Sequence, residues 1–222
     1  MPVLRDYQKK AIELIEAESG NVCLQMATGS GKTVVFTELA KRHYAEFITP
    51  VLILVHRKEL LKQAFNKLGE RCFIVEAGTK HIPHDFNYYV GMVESVNKRL
   101  AKLPEFGLVI IDECHFANFR KMPFFSMPKT KVVGVTATPI AEKPLSGLFS
   151  KLIQPIDIKH LIEQNFLVNS KAYGFASDLV SAQKFKVKGG EFDEAQMEEF
   201  YTSEKMIKNV IEAYWDYCAG IS

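Results

Sequence analysis

The sequence has no apolar run approaching the ~20 residues needed to cross a bilayer. Its first residues include Arg5, Asp6, Lys9 and Lys10, where a secretory signal needs an apolar stretch. The expectation is an intracellular, cytoplasmic protein. Cysteine is scarce: Cys23, Cys72, Cys114 and Cys218 lie far apart with no metal-type spacing, so reduced thiols are expected in place of a disulfide framework or a zinc site. His81 and His84 have no cysteine or carboxylate at ligand spacing and read as part of a loop. An excess of one charge is also missing. With 28 basic and 26 acidic residues the net charge is +2, which neither favours nor excludes nucleic acid, because a basic groove can be balanced by acidic surface elsewhere. What remains is a globular composition, 47% hydrophobic and 24% charged over 222 residues, enough for one large or one and a half ordinary domains.

The stretch around which the chain is organised is Ala27-Thr28-Gly29-Ser30-Gly31-Lys32-Thr33, set between a strand predicted over 22–26 and a helix beginning near Lys32. Gly29 and Gly31 can turn the backbone through positive φ and let it approach a ligand with no Cβ in the way, so successive N–H groups can point at one anion. The helix start adds unpaired amides and the positive end of its dipole. Lys32 supplies a full charge for the β- and γ-phosphates of a nucleoside triphosphate, and the Thr33 hydroxyl is a hard oxygen ligand for Mg²⁺. The strict phosphate-loop pattern has a glycine where this chain has Met26; the Gly-x-Gly-Lys-Thr core and its strand-to-helix setting remain.

Residues 4–17 carry a helical stripe of Tyr7, Ala11, Ile12, Leu14 and Ile15. Gln8 reads as a surface amide by periodicity, although an amide can donate to and accept from an adenine edge at once. After the phosphate loop come a helix over 34–47, an apolar strand over 51–55, a helix to about residue 69 and strands over 72–76 and 88–92. A helix over 94–102 follows. Strands alternating with helices define an α/β domain with a mostly parallel sheet and right-handed crossovers. Leu108-Val109-Ile110-Ile111 then leads into Asp112-Glu113-Cys114-His115, so that two carboxylates arrive at the C-terminal end of a central strand, where open α/β sheets bind ligands. Asp112 suits Mg²⁺, directly or through water, and Glu113 can orient and deprotonate the water that attacks a γ-phosphate. A last strand, 131–135, ends in Thr136-Ala137-Thr138-Pro139. Its hydroxyls can bond to neighbouring strand ends, or the segment is a plain strand exit. The loop over 119–128 has no assigned role.

This order of motifs resembles the first RecA-like motor domain of superfamily 2 helicases and translocases of the DEAD/DEAH-box-like group. Residues 4–8 resemble the adenine-reading Q motif, 27–33 motif I, 54–63 motif Ia, 112–115 motif II in its DExH form and 136–139 motif III. The resemblance covers about residues 4–170. It implies a RecA-like P-loop NTPase fold, a mostly parallel central sheet with helices on both faces, and ATP with Mg²⁺ as cofactors. Gln8 and Arg5 would select adenine. Arg57 and Ser95 would contact the nucleic-acid backbone, and His115, Thr136 and Thr138 would couple nucleotide state to strand binding. Val55-His56-Arg57-Lys58-Glu59-Leu60 and residues 158–167 look closest to bacterial RadD-like and phage DNA-repair helicases, which implies DNA as partner and a bacterial or phage-infected cytoplasm. RNA unwinding, restriction-type translocation and an ATP-switched clamp are the alternatives.

On this reading residues 1–170 form the ATP-binding domain. Residues 171–192, with Lys184, Lys186, Lys188, Gly189 and Gly190, resemble an interdomain connection, and a helix over 203–217 opens a second RecA-like domain. Trp215 and Tyr217 read as packing residues, not as base-stacking platforms. The chain is expected to be a fragment or part of a split gene, with the second domain and its arginine finger supplied in the same or a partner chain. Since such a finger is worth ~10³ to 10⁵ in rate, the isolated chain is expected to bind ATP weakly and turn it over slowly.

Overall fold

Apolar runs with no polar alternation cannot leave one face in water, and the strands at the centre of this sheet, Val51–Val55 and Leu108–Asp112, are accordingly buried on both. The computed structural model describes residues 3–140, 144–170, 186–188 and 191–217, and the chain divides into two units, 1–168 and 169–222. In the first unit β1 (Val22–Gln25), β2 (Val51–Val55), β3 (Cys72–Val75), β4 (Tyr88–Met92), β5 (Leu108–Asp112), β6 (Lys131–Thr136) and β7 (Lys151–Ile153) form one seven-stranded sheet in the order β3-β4-β2-β5-β6-β1-β7. Every pairing in it is parallel.

Side chains from β1 to β6 supply two cores in alternation. Val51, Ile53 and Val55 of β2 join the core under α1 (Asp6–Glu16), α2 (Lys32–Phe47) and α3 (Lys58–Leu68), while Leu52 and Leu54 point to the opposite face. α1 buries Tyr7, Gln8, Ala11, Ile12 and Ile15, a stripe that includes Gln8 against the expectation of a surface amide. The opposite face is covered by α4 (Val93–Asn97) and by irregular chain. The loop without an assigned role contributes there: its 3₁₀ turns at Ala117–Phe119 and Pro123–Ser126 help bury Phe119, Met122 and Phe124 in that second core.

Two further differences from the predicted elements have local causes. The helix expected over 94–102 ends at Asn97, because Arg99 leaves helical conformation (φ −127°, ψ 11°) and its guanidinium instead ties the carbonyls of Thr79 (2.8 Å) and Ser95 (2.9 Å). β7 was not predicted. It is only three residues long, pairs in register with Val22, Cys23 and Leu24, and is followed by α5 (Ile158–Glu163), capped by the Asp157 carboxylate, which accepts from the His160 amide at 2.8 Å. His84 Nε2 donates to the Lys102 carbonyl, 3.0 Å away, within the predicted loop.

The second unit contains an antiparallel pair, β8 (Val187–Lys188) and β9 (Glu191–Phe192), followed by α6 (Glu194–Tyr201) and α7 (Glu204–Tyr217). The predicted helix over 203–217 is therefore present, with Ile207, Val210, Ile211 and Tyr214 about half exposed. Residues 171–185, most of the expected interdomain connection, lie outside the described residues. Among the described residues no helix is long and apolar enough to cross a membrane.

Candidate nucleotide and strand site

The strand order turns motifs scattered along the chain into a row. β1, β6, β5, β2 and β4 are successive neighbours, so their C-terminal ends present the phosphate loop, Thr136, Asp112, Arg57 and the start of α4 with Ser95 in that spatial sequence. In α/β sheets this edge is the ligand-binding one.

The phosphate loop turns where its glycines permit, with φ 81° at Gly29 and 87° at Gly31, and α2 starts at Lys32. Gly31 is required for a second reason, since a Cβ there would lie 2.5 Å from Gln8 Nε2. The loop is held from below. Ser30, fully buried, donates its hydroxyl to the Ala27 carbonyl (2.6 Å), while the Ser30 carbonyl accepts from Tyr7 Oη (2.7 Å) and Gln8 Nε2 (3.1 Å). Gln8 Oε1 accepts from the Arg5 amide (3.0 Å). The amide of Gln8 thus buttresses the phosphate loop from below. Arg5 is exposed, with its guanidinium 4.1 Å above the ring of Phe166 and its Nη1 donating to Tyr7 Oη at 3.1 Å. Tyr7 and Phe166 escaped the sequence reading because a tyrosine in an apolar stripe looks like core packing, and nothing local marks Phe166 as its neighbour.

At the acidic end, Lys32 Nζ lies 3.2 Å from Glu113 Oε1, and His115 Nδ1 lies 3.3 Å from Glu113 Oε2 and 2.8 Å from Thr136 Oγ1. The direction of the His115–Thr136 bond follows the tautomer of the ring. Thr136 Oγ1 accepts from the Thr138 amide (3.1 Å), and its own hydrogen has Glu113, the Thr138 carbonyl and His115 Nδ1 within reach. Motif III is therefore more than a strand exit: one hydroxyl joins four residues. Glu113 itself has φ 50°, a backbone conformation that L-residues rarely adopt and that the surrounding bonds must hold.

Asp112 is 5% exposed and its Oδ1 has no hydrogen-bond partner among the described residues. Burial, reinforced by the charge of Glu113 and opposed by Lys32, pushes its carboxyl up to about 6. A buried carboxylate with an orphaned oxygen fits a divalent cation, which removes both costs, and the Thr33 hydroxyl borders the same cavity of about 840 Å³. Thr28, Gly29, Gly31, Lys32, Glu113, His115, Thr138 and Arg57 border it as well. Ser95 does not; it lies on α4, half-buried, with its carbonyl engaged by Arg99.

A parallel sheet with a phosphate loop after β1, a paired acid motif after β5 and a hydroxyl relay after the strand between them defines a RecA-like motor domain of the superfamily 2 helicase class. Residues 1–141 match the family described as the Type III restriction enzyme res subunit, and the chain belongs to that family, whose domains hydrolyse ATP. Among solved structures it is similar to the UvsW helicase of bacteriophage T4 (19% identity, TM-score 0.55, covering 68% of this chain and 60% of that one). It is also similar to the Type ISP restriction-modification enzyme LlaGI, in a nuclease-deletion form with a DNA substrate mimic (17%, 0.59, 94% and 24%). A third is the Hef helicase domain of Pyrococcus furiosus (19%, 0.56, 68% and 37%). The chain thus spans less than two thirds of each of these proteins. Curated proteins offer no match.

Proposed function

We propose that this chain is the first motor domain of an ATP-driven DNA helicase or translocase, and that residues 171–222 lead into a second RecA-like domain. The observation that carries the reading is the single connected cluster of Lys32, Glu113, His115, Thr136 and Thr138 beside the orphaned Asp112 oxygen. In this reading the loop amides and Lys32 bind the triphosphate, and Lys32 exchanges its contact with Glu113 for phosphate oxygens as it does so. Glu113, released from the lysine, takes a proton from the attacking water. Asp112 and Thr33 would hold Mg²⁺, whose charge offsets that of the phosphates. His115 and Thr136 orient the Glu113 carboxylate, and Arg5 and Gln8 receive the adenine. Arg57 and Ser95 meet the strand backbone, which sets register but reads no base.

The test is ATP turnover by the protein with both motor domains, with no nucleic acid, single-stranded DNA, duplex DNA or single-stranded RNA, alongside Glu113→Gln. Stimulation by DNA and loss of turnover in Glu113→Gln with nucleotide binding retained support the reading. Stimulation by RNA alone would transfer the substrate to RNA, and a turnover-competent Glu113→Gln would remove Glu113 from its role. A second reading, translocation without strand separation, is favoured by the family description as a restriction-enzyme subunit. It predicts displacement of a triplex-forming oligonucleotide without unwinding of a plain duplex.

A further inference from the structure

Two aromatic side chains to which the reading above gives no role join the strand-binding end of the cleft to the hydrolytic end. His56 follows the last residue of β2 and precedes Arg57. Its ring lies 5.3 Å from that of Phe116, and Phe116 lies 4.3 Å from the ring of His115. His115 in turn meets Glu113 and Thr136, and the Phe116 amide donates to the Glu113 carbonyl at 3.1 Å. A shift of the Phe116 ring therefore reaches Glu113 twice, through the backbone turn and through the histidine. Glu113, at φ 50°, is the residue in this segment whose conformation depends most on being held.

Neither ring is placed there by ordinary core packing. Phe116 is 46% exposed, so burial does not account for its position. His56 buries Nδ1 with no hydrogen-bond partner among the described residues, a cost that an apolar residue of similar shape would avoid. The ladder His56–Phe116–His115 spans β2 and β5, the two adjacent strands that end in the strand-contact and acid motifs.

We propose that His56 and Phe116 are positioning residues that transmit strand engagement at Arg57 to the carboxylate of Glu113. The inference rests on the motor reading, in which Arg57 meets the strand and Glu113 activates water. It assigns to the ring ladder the stimulation of ATP turnover by nucleic acid, as distinct from ATP chemistry or strand affinity themselves.

The experiment uses the protein with both motor domains and compares wild type with His56→Leu, Phe116→Leu, the double variant and the conservative Phe116→Tyr. For each, kcat for ATP is measured with and without a saturating single-stranded DNA oligonucleotide, and oligonucleotide Kd is measured by anisotropy. The ratio of stimulated to unstimulated kcat is expected to fall about two- to thirtyfold in each leucine variant, the range of coupling carried by such networks. The double variant should fall no further than the worse single, because both residues serve one path. Phe116→Tyr, which keeps the ring, should retain the ratio, and Kd should stay within about twofold of wild type. An unchanged ratio, a loss that follows weakened DNA binding, or losses that multiply in the double variant would overturn the proposal while leaving the motor reading intact. A wild type unresponsive to any nucleic acid would overturn both.

Discussion

Gly134 offers a direct test of how the sheet holds the acid motif. It sits in β6 between Cys23 of β1 and Ile111 of β5. A Cβ there would meet Phe149 Cζ at 2.5 Å, Cys114 Sγ at 2.7 Å and Cys114 Cβ at 2.9 Å. None of these can swing away, since Cys114 is fully buried and Phe149 is 5% exposed. The absent side chain is what lets the Cys114 sulfur reach across β6 to that of Cys23, 3.6 Å away. Cys114 follows Glu113 and donates its amide to the Val135 carbonyl at 3.1 Å, so its seat fixes one end of the strained turn. Gly134→Ala should therefore cost ~2 kcal/mol by overpacking. For a unit of this size that corresponds to a melting temperature lower by about 4–8 °C. Displacing Cys114 also rotates Glu113, and a misplacement approaching 1 Å should lower kcat for ATP by about 10- to 100-fold. Differential scanning fluorimetry and ATP turnover, measured well below the transition, report the two effects separately, and a fluorescent nucleotide shows whether binding survives. Adding Cys114→Ala removes the nearest sulfur and should restore part of both losses. A variant that melts early but turns over normally would refute the link between the slot and Glu113, and one unchanged in both would refute the slot itself.

Other expectations rest on burial. His43 is held below its ordinary pKa of 6.5, first by burial and then by the charge of Lys131, so the unfolded chain binds its proton more readily than the folded one. Its contribution to stability is complete above about 6.5 and is lost as pH falls through the lower folded value, so His43→Gln should lessen the drop in melting temperature between about pH 7.5 and 5. An equal drop in the variant would remove His43 from the acid response. Cys23, Cys72 and Cys114 are buried free thiols, and burial pushes Cys72 up to about 12. Peptide mapping after treatment with an aromatic disulfide reagent should find all three labelled only after unfolding. Labelling of any of them in the native protein would contradict the packing described.

The sequence was most informative where the chemistry is contiguous. Seven consecutive residues, 27–33, contain a whole phosphate cradle, because the amides, the lysine and the hydroxyl it needs lie within one turn of chain. Apolar runs ending in Asp112 and Glu113 or in Thr136 could be read as strands for the same local reason, and their alternation with amphipathic stretches implied the parallel sheet. Periodicity records which face of an element is apolar, but not which element lies beside it. Only the tertiary structure decided that β6 separates β1 from β5, which brings Thr136 to Glu113 and opens at Gly134 the gap between Cys23 and Cys114. It also turned Gln8 from the surface to the underside of the phosphate loop, added β7 from three residues with no pattern of their own, and left Ser95 outside the cleft that Arg57 borders. The positive φ of Glu113 belongs to the same group: no residue type announces it, and the turn is held by the Cys114 amide on the Val135 carbonyl and by the contacts of the Glu113 carboxylate with Lys32 and Thr136.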